Sequence, residues 1–270
     1  DGTLIDYEAK LPVSAAKAVD LARANGHKVY ICTGCSKAEI EQRNLCDLDG
    51  MIGGNGAYVE DNGYVVMHQG LTKEEVKHIV DWCNERHLGF YLEANSGMYC
   101  NDYMLEQGPE TMIKYGQGKG ADLSKATESA NSFVNSFIHL TGEDLYRDDV
   151  NKISFILSRY QDHLDSKEEF PELIANTWGG KDEQALYGDL SPKGITKKHA
   201  IDVLLKHLGR DAEDTIAFGD AKIDISMFEL CGYSVAMGNA GKETKEAADY
   251  ITTDVNDDGI YNAFKHLNLI

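Results

Sequence analysis

Several features are missing from this 270-residue chain. No apolar run approaches the roughly 18 residues of a membrane span, and no secretory leader is visible. There is no internal repeat and no low-complexity tract. Basic residues are in deficit, 26 against 45 acidic, for a net charge of −19. A groove that tracks nucleic-acid phosphates needs a basic stripe, so this balance argues against a nucleic-acid partner. The six cysteines have no framework spacing, and a chain of this length does not need one. They are read as reduced and the protein as cytoplasmic. The chain opens at Asp1-Gly-Thr-Leu-Ile5 with neither an initiator Met nor a preceding strand, and the sequence is expected to continue upstream.

What is present is enough for a substantial core: 42% of residues are hydrophobic, and the length suggests two domains. Leu11 to Gly26 carries an apolar stripe at helical spacing, with Pro12 near its start and Gly26 as a stop. Val29–Cys32 is a short buried strand followed by a helix from about Lys37, and Gly50–Ile52 is another. After the glycine-rich turn at Gly53–Ala57 comes a hairpin around Asp61-Asn-Gly63. From Leu71 the pattern changes. Thr72 and Glu75 form a capping box before Val76, Ile79, Val80 and Cys83. Strand-like runs then fall at Gly89–Glu93, Met98–Cys100, Lys152–Leu157 and Gln184–Tyr187, with polar helical stretches such as Glu168–Ala175 between them. The first pattern resumes at Pro192, with Thr196 as a helix N-cap, Gly209 as a stop, and strands at Thr215–Phe218, Tyr233–Met237 and Tyr250–Thr252. The expected fold is therefore α/β, a doubly wound, Rossmann-like parallel sheet over residues 1–70 and 189–270, interrupted by an α+β insert over 71–188.

The sequence around Thr215–Phe218 draws the chemistry together. Gly219 turns the chain, and Asp220 and Asp224 follow at the carboxyl end of the strand, where open parallel sheets bind ligands. Two acids so placed repel unless a cation or a lysine offsets them. Thr33-Gly34, between a strand and a helix, offers a hydroxyl and free amides to an anion, or serves as a plain helix cap. Lys197 and Lys198 occupy the first turn of a helix, the wrong end for a cation, which points to a neighbouring carboxylate or phosphate. Lys193, in the preceding loop, is less constrained.

Together these segments resemble the haloacid dehalogenase superfamily of phosphotransferases, and within it the Cof-type group, whose cap is inserted after the third core strand. Asp1-Gly-Thr-Leu4 matches the latter part of the DxDGT motif, Thr33-Gly34 the second motif, Lys197 the third, and Gly219-Asp220 with Asp224 the fourth. Val235–Ala240 and Asp257-Asp-Gly259 match the C-terminal signature. The resemblance implies a Mg²⁺-dependent phosphatase acting on a small phosphorylated metabolite, a sugar phosphate or similar, through a phospho-aspartate. It implies a nucleophilic Asp two residues before Asp1, and Asp1 as acid and base and as a metal ligand through its carbonyl. It further implies Asp220 and Asp224 at the metal and Thr33, Gly34 and Lys197 around the phosphate. The cap, with the loops around Glu93–Asn101, is expected to choose the substrate.

The match departs from the family pattern at two positions. Cys35 stands where many relatives carry Arg, and Ile223 where the fourth motif often carries an Asn that contacts phosphate. Two other classes stay open. One is a non-catalytic phosphometabolite-binding protein, motivated by Ile223. The other is a redox protein built on Cys32-Thr-Gly-Cys35, a Cys-x-x-Cys between a strand and a helix.

Overall fold

The computed structural model describes every residue except 44, 119 and 179–184. The chain divides into two compact units. One comprises Asp1–Gly34, Glu41–His68 and Ile195–Ile270; the other comprises Cys35–Ile40 and Gln69–Gly194.

In the first unit the alternation of short apolar runs and helices produces parallel pairing. Tyr30–Cys32 pairs parallel with Gly50–Gly53, and the hairpin Tyr58–Asp61/Tyr64–His68 extends that sheet antiparallel. Ile216–Gly219, Tyr233–Ala236 and Tyr250–Ile251 form a second sheet that is parallel throughout. The helix predicted from Leu11 runs Val13–Ala24, starting directly after Pro12. Its Ala15, Ala18 and Ala22 pack with Ile260 and Phe264 of the C-terminal helix Gly259–His266. Small residues on one helix face let the two approach closely. The helix Lys197–Leu208 is capped by Thr196, whose hydroxyl accepts the His199 amide at 3.1 Å, and it closes at Gly209.

In the second unit a six-stranded sheet has the spatial order Ile138–His139, Met98–Cys100, Phe90–Ala94, Val150–Ile156, Tyr187–Pro192, Leu173–Trp178. All pairs are antiparallel except the one between Met98–Cys100 and Ile138–His139. Thr72 and Glu75 form the predicted capping box at the head of helix Lys73–Glu85. The Val76, Ile79, Val80 and Cys83 stripe of that helix is buried with Phe90, Leu92, Ile153, Phe155 and Leu190 from the sheet. Strand period two sends the intervening residues to the opposite face. There Tyr91 packs with Met104 and Tyr187, while Glu93, Ser154 and Asp189 are buried polar residues.

Two sequence expectations need correcting here. Glu168–Ala175 is not a helix: the helix is Tyr160–Glu169, Pro171 follows, and Leu173–Trp178 is a strand. Cross-strand pairing with Tyr187–Pro192 overrides the polar helical composition of that stretch. Gln184, where a strand was expected to begin, lies outside the described residues; the strand runs Tyr187–Pro192 and belongs whole to this sheet, so the unit extends past 188 to Gly194. Among the described residues, no helix is long and apolar enough to cross a membrane.

Candidate active site

The strand Ile216–Gly219 delivers Asp220 and Asp224 at its carboxyl end, and the intervening residues wind into a single 3-10 turn, Lys222–Asp224. That turn folds Asp224 back toward the strand. Its Oδ2 accepts the backbone N–H groups of Asp220 and Ala221 at 3.1 and 3.0 Å, and its Oδ1 accepts Lys197 Nζ at 2.8 Å. Gly219 makes room for this, because a Cβ there would meet the Asp224 side chain. Both partners of the ion pair are only 6% exposed. Burial alone would pull the Lys197 ammonium down. The Cys32 thiol and the Asp224 and Asp220 carboxylates outweigh it and hold the amine above the ordinary lysine value. Lys197 is thus a charged lysine at a helix N-terminus with the carboxylate partner that such a placement calls for.

Asp220 has a different environment. Thr3 Oγ1 donates to its Oδ1 at 2.7 Å, and Tyr7 OH donates to its Oδ2 at 3.0 Å. Gly2 lies against the same carboxylate with φ +78, and a Cβ at this position would fall on Asp220 and on the Tyr7 hydroxyl. The Asp1-Gly-Thr segment and the Asp220 turn therefore meet, as the two motifs require. The Asp1 carboxylate is ion-paired with Arg43 and is half exposed. Thr33 follows directly on the strand Tyr30–Cys32; its amide donates to Ile52 O at 2.9 Å, and its carbonyl accepts the Asn55 amide at 3.1 Å. The Asn55 side chain lies beside Gly34, where a Cβ would stand 3.0 Å from its Oδ1. The glycine-rich turn thus buttresses the Thr33-Gly34 loop.

Arg43, Tyr7 and Asn55 escaped the sequence reading. Arg43 and Tyr7 sit in no recognisable pattern. Asn55 carries a weak signal, a non-glycine residue between two glycines. Ile223 is 52% exposed on the 3-10 turn, so no apolar pocket receives it. The redox class loses its support: burial, opposed by Lys197, pushes the Cys32 thiol up to about 12, whereas redox pairs depend on a depressed value. Among the described residues, no cysteine is part of a disulfide.

A divalent cation can be tested against these donors. Among the described residues no group of three His, Cys, Asp or Glu side chains gathers into a protein cage. Mg²⁺ does not need one, since it takes one or two carboxylates and completes its shell with water and substrate phosphate. Each Asp220 oxygen accepts one hydrogen bond, from Thr3 or from Tyr7, and can accept again, and the atoms offered to a cation in this corner are oxygens. The residues fit a hard cation.

The sequence from residue 1 to 264 matches the family model of the haloacid dehalogenase-like hydrolases. The chain belongs to that family. Phosphatase YwpJ of Bacillus subtilis is 26% identical over 281 residues, which cover 99% of this chain and 97% of that one. The structure resembles that of a hypothetical protein from Geobacillus kaustophilus with a TM-score of 0.83 and 26% identity, covering 100% and 96% of the two chains. It also resembles the subclass IIB sugar phosphatase BT4131, with a TM-score of 0.73 and 27% identity over 100% and 97%. The fold is thus that of this family, a Rossmann-like α/β core with an inserted α+β cap.

Proposed function

We propose that the protein hydrolyses the phosphate monoester of a small metabolite, a sugar phosphate or a similar compound, with Mg²⁺ and through a phospho-aspartate. The phosphatase class itself follows from the family: the protein is a hydrolase whose full-length relative is named a phosphatase. The finer reading is ours. The observation that carries it is the Lys197–Asp224 pair, a buried ammonium fixed at the mouth of the strand that also presents Asp220.

In this reading the nucleophile is the aspartate expected two positions ahead of Asp1. Asp1 gives its proton to the departing alkoxide and then takes one from the attacking water. Thr33 and the Gly34 amide donate to the phosphoryl oxygens, and Lys197 neutralises their charge. Such transfer is mostly positioning and charge neutralisation. Asp224 holds Lys197 and the Asp220 backbone in place, so its contribution to the metal site is made through them. When bound, at Asp220 and Asp1, Mg²⁺ offsets the repulsion between carboxylates and phosphate. The first unit is the catalytic core and the second the cap that selects the metabolite. Cysteines that stand outside any disulfide support reading it as a cytoplasmic enzyme.

The test is phosphate release by the full chain from a panel of sugar phosphates, nucleotides and pyridoxal phosphate. Activity with Mg²⁺ that EDTA removes, and that Asp220→Asn lowers by at least about a hundredfold, is expected. An Asp220→Asn variant as active as wild type at ordinary Mg²⁺ would overturn the metal assignment.

A further inference from the structure

We propose that Tyr7 is a positioning residue for Asp220, an inference that rests on reading Asp220 as a Mg²⁺ ligand. Tyr7 is 65% exposed, so its ring gains little from burial. Its hydroxyl, by contrast, is fully engaged. It donates to Asp220 Oδ2 at 3.0 Å and accepts Asn239 Nδ2 at 3.1 Å.

The direction of these bonds is fixed by proton bookkeeping. Asn239 Oδ1 accepts the Val255 backbone N–H at 3.0 Å, and its Nδ2 donates to Gly2 O at 2.7 Å. The amide therefore presents its NH₂ side to Tyr7. The hydroxyl must accept from it, and its single proton is left for Asp220. Asn239, Tyr7 and Asp220 form one directed chain of hydrogen bonds.

The backbone around Tyr7 is built to hold it there. Asp6 Oδ1 accepts the amides of Glu8 and Lys10, each at 2.8 Å, and the Asp6 amide donates to Lys10 O at 2.9 Å. Ala9 closes this small loop at φ 59, a left-handed conformation that alanine adopts at a cost.

The consequence for Asp220 is orientation. With Thr3 on Oδ1 and Tyr7 on Oδ2, each carboxylate oxygen has one donor, so the carboxylate cannot turn about its bond without breaking one of them. Each oxygen keeps capacity for a further partner, the arrangement a cation needs. Partners that orient a metal ligand typically change metal affinity by about 10–100-fold when removed, and an exposed hydroxyl belongs near the lower bound.

The experiment is a calorimetric Mg²⁺ titration of the full chain as wild type, Tyr7→Phe and Asp220→Asn, with melting curves beside it. Tyr7→Phe removes only the hydroxyl of an exposed ring. It is expected to weaken Mg²⁺ binding about tenfold without lowering the melting temperature. Phosphatase activity lost at limiting Mg²⁺ should return as Mg²⁺ is raised, which a merely structural defect would not do. Asp220→Asn losing Mg²⁺ while Tyr7→Phe binds it as tightly as wild type, or tighter, overturns the inference alone. Asp220→Asn binding Mg²⁺ as wild type does overturns the metal reading and this inference with it.

Discussion

Lys193 and Lys197 are close in sequence, and the fold treats them oppositely. Lys193 reaches the Pro171 carbonyl from an exposed loop, whereas Lys197 is buried against Asp224. Lys197→Ala is expected to lower kcat/KM by about a hundredfold or more, the size of effect seen when a preorganised donor to a developing anion is removed. Lys193→Ala should leave it at the wild-type value, and steady-state kinetics on both variants decides. Ile223 is a second point at this scale. It stands half exposed where it can donate nothing to phosphate. A hydrogen bond to a charged group contributes roughly 1.5–3 kcal/mol, so Ile223→Asn should tighten inorganic phosphate binding by about tenfold or more. Because the position is open to water, the melting temperature should not fall. Equal phosphate affinity in both proteins would show that this turn does not reach the anion.

Among the elements, the second unit's sheet places a charged row on the face opposite its helix-packed side. Glu93 pairs across the strands with Lys152 in register, with 3.1 Å between the charged groups; Ser154 donates to Glu93 at 2.8 Å, and Asp189 lies opposite Ser154. Burial raises the Asp189 carboxyl above its ordinary value; Lys152 opposes the shift and Glu93 adds to it. A group raised in this way holds its proton more tightly when folded. The Asp189 contribution to stability therefore falls as pH rises from below the ordinary carboxylate range through the raised folded value. Asp189→Asn removes that dependence, so its melting temperature relative to wild type should climb with pH across the acid range and then level off. A constant difference would mean that Asp189 ionises as freely in the folded chain as in the unfolded one.

The elements also show what was legible in the sequence. Long amphipathic helices, the Thr72 capping box and the strand ahead of Asp220 could be read because period and cap chemistry are local. The strand Leu173–Trp178 could not, since its pairing partner rather than its composition makes it a strand. At the site, Lys197 was readable as a cation at the wrong helix end and Asp224 as a second acid one turn past Asp220. Arg43 and Tyr7 were not, because each meets its partner through tertiary structure and leaves no spacing to read, and Asn55 left only its place between two glycines.

For the whole molecule, a net charge of −19 means that an anionic substrate approaches against a repulsive field. Salt screens such a field over about 10 Å at 0.1 M. Raising the concentration of an inert salt from about 10 mM to 150 mM should therefore raise kcat/KM for a phosphate ester. A fall over that range would mean that the local charge of Lys197 and its neighbours governs encounter.

The first unit is also discontinuous, drawing on Asp1–Gly34, Glu41–His68 and Ile195–Ile270. On the ribosome, Thr3 and Tyr7 emerge 217 and 213 residues before Asp220, which they contact. At synthesis rates of about 5–20 residues per second, the opening segments wait on the order of ten seconds or more for their partners. Almost all of the second unit emerges in that interval as one uninterrupted stretch, Gln69–Gly194, and can fold while the nascent chain is still being made. A chain released early, before Ile195, would carry a folded second unit and, ahead of it, apolar strands with no helix Lys197–Leu208 to cover them. Truncated translation products of this protein are therefore expected to be targets for chaperones and proteases at these uncovered strands.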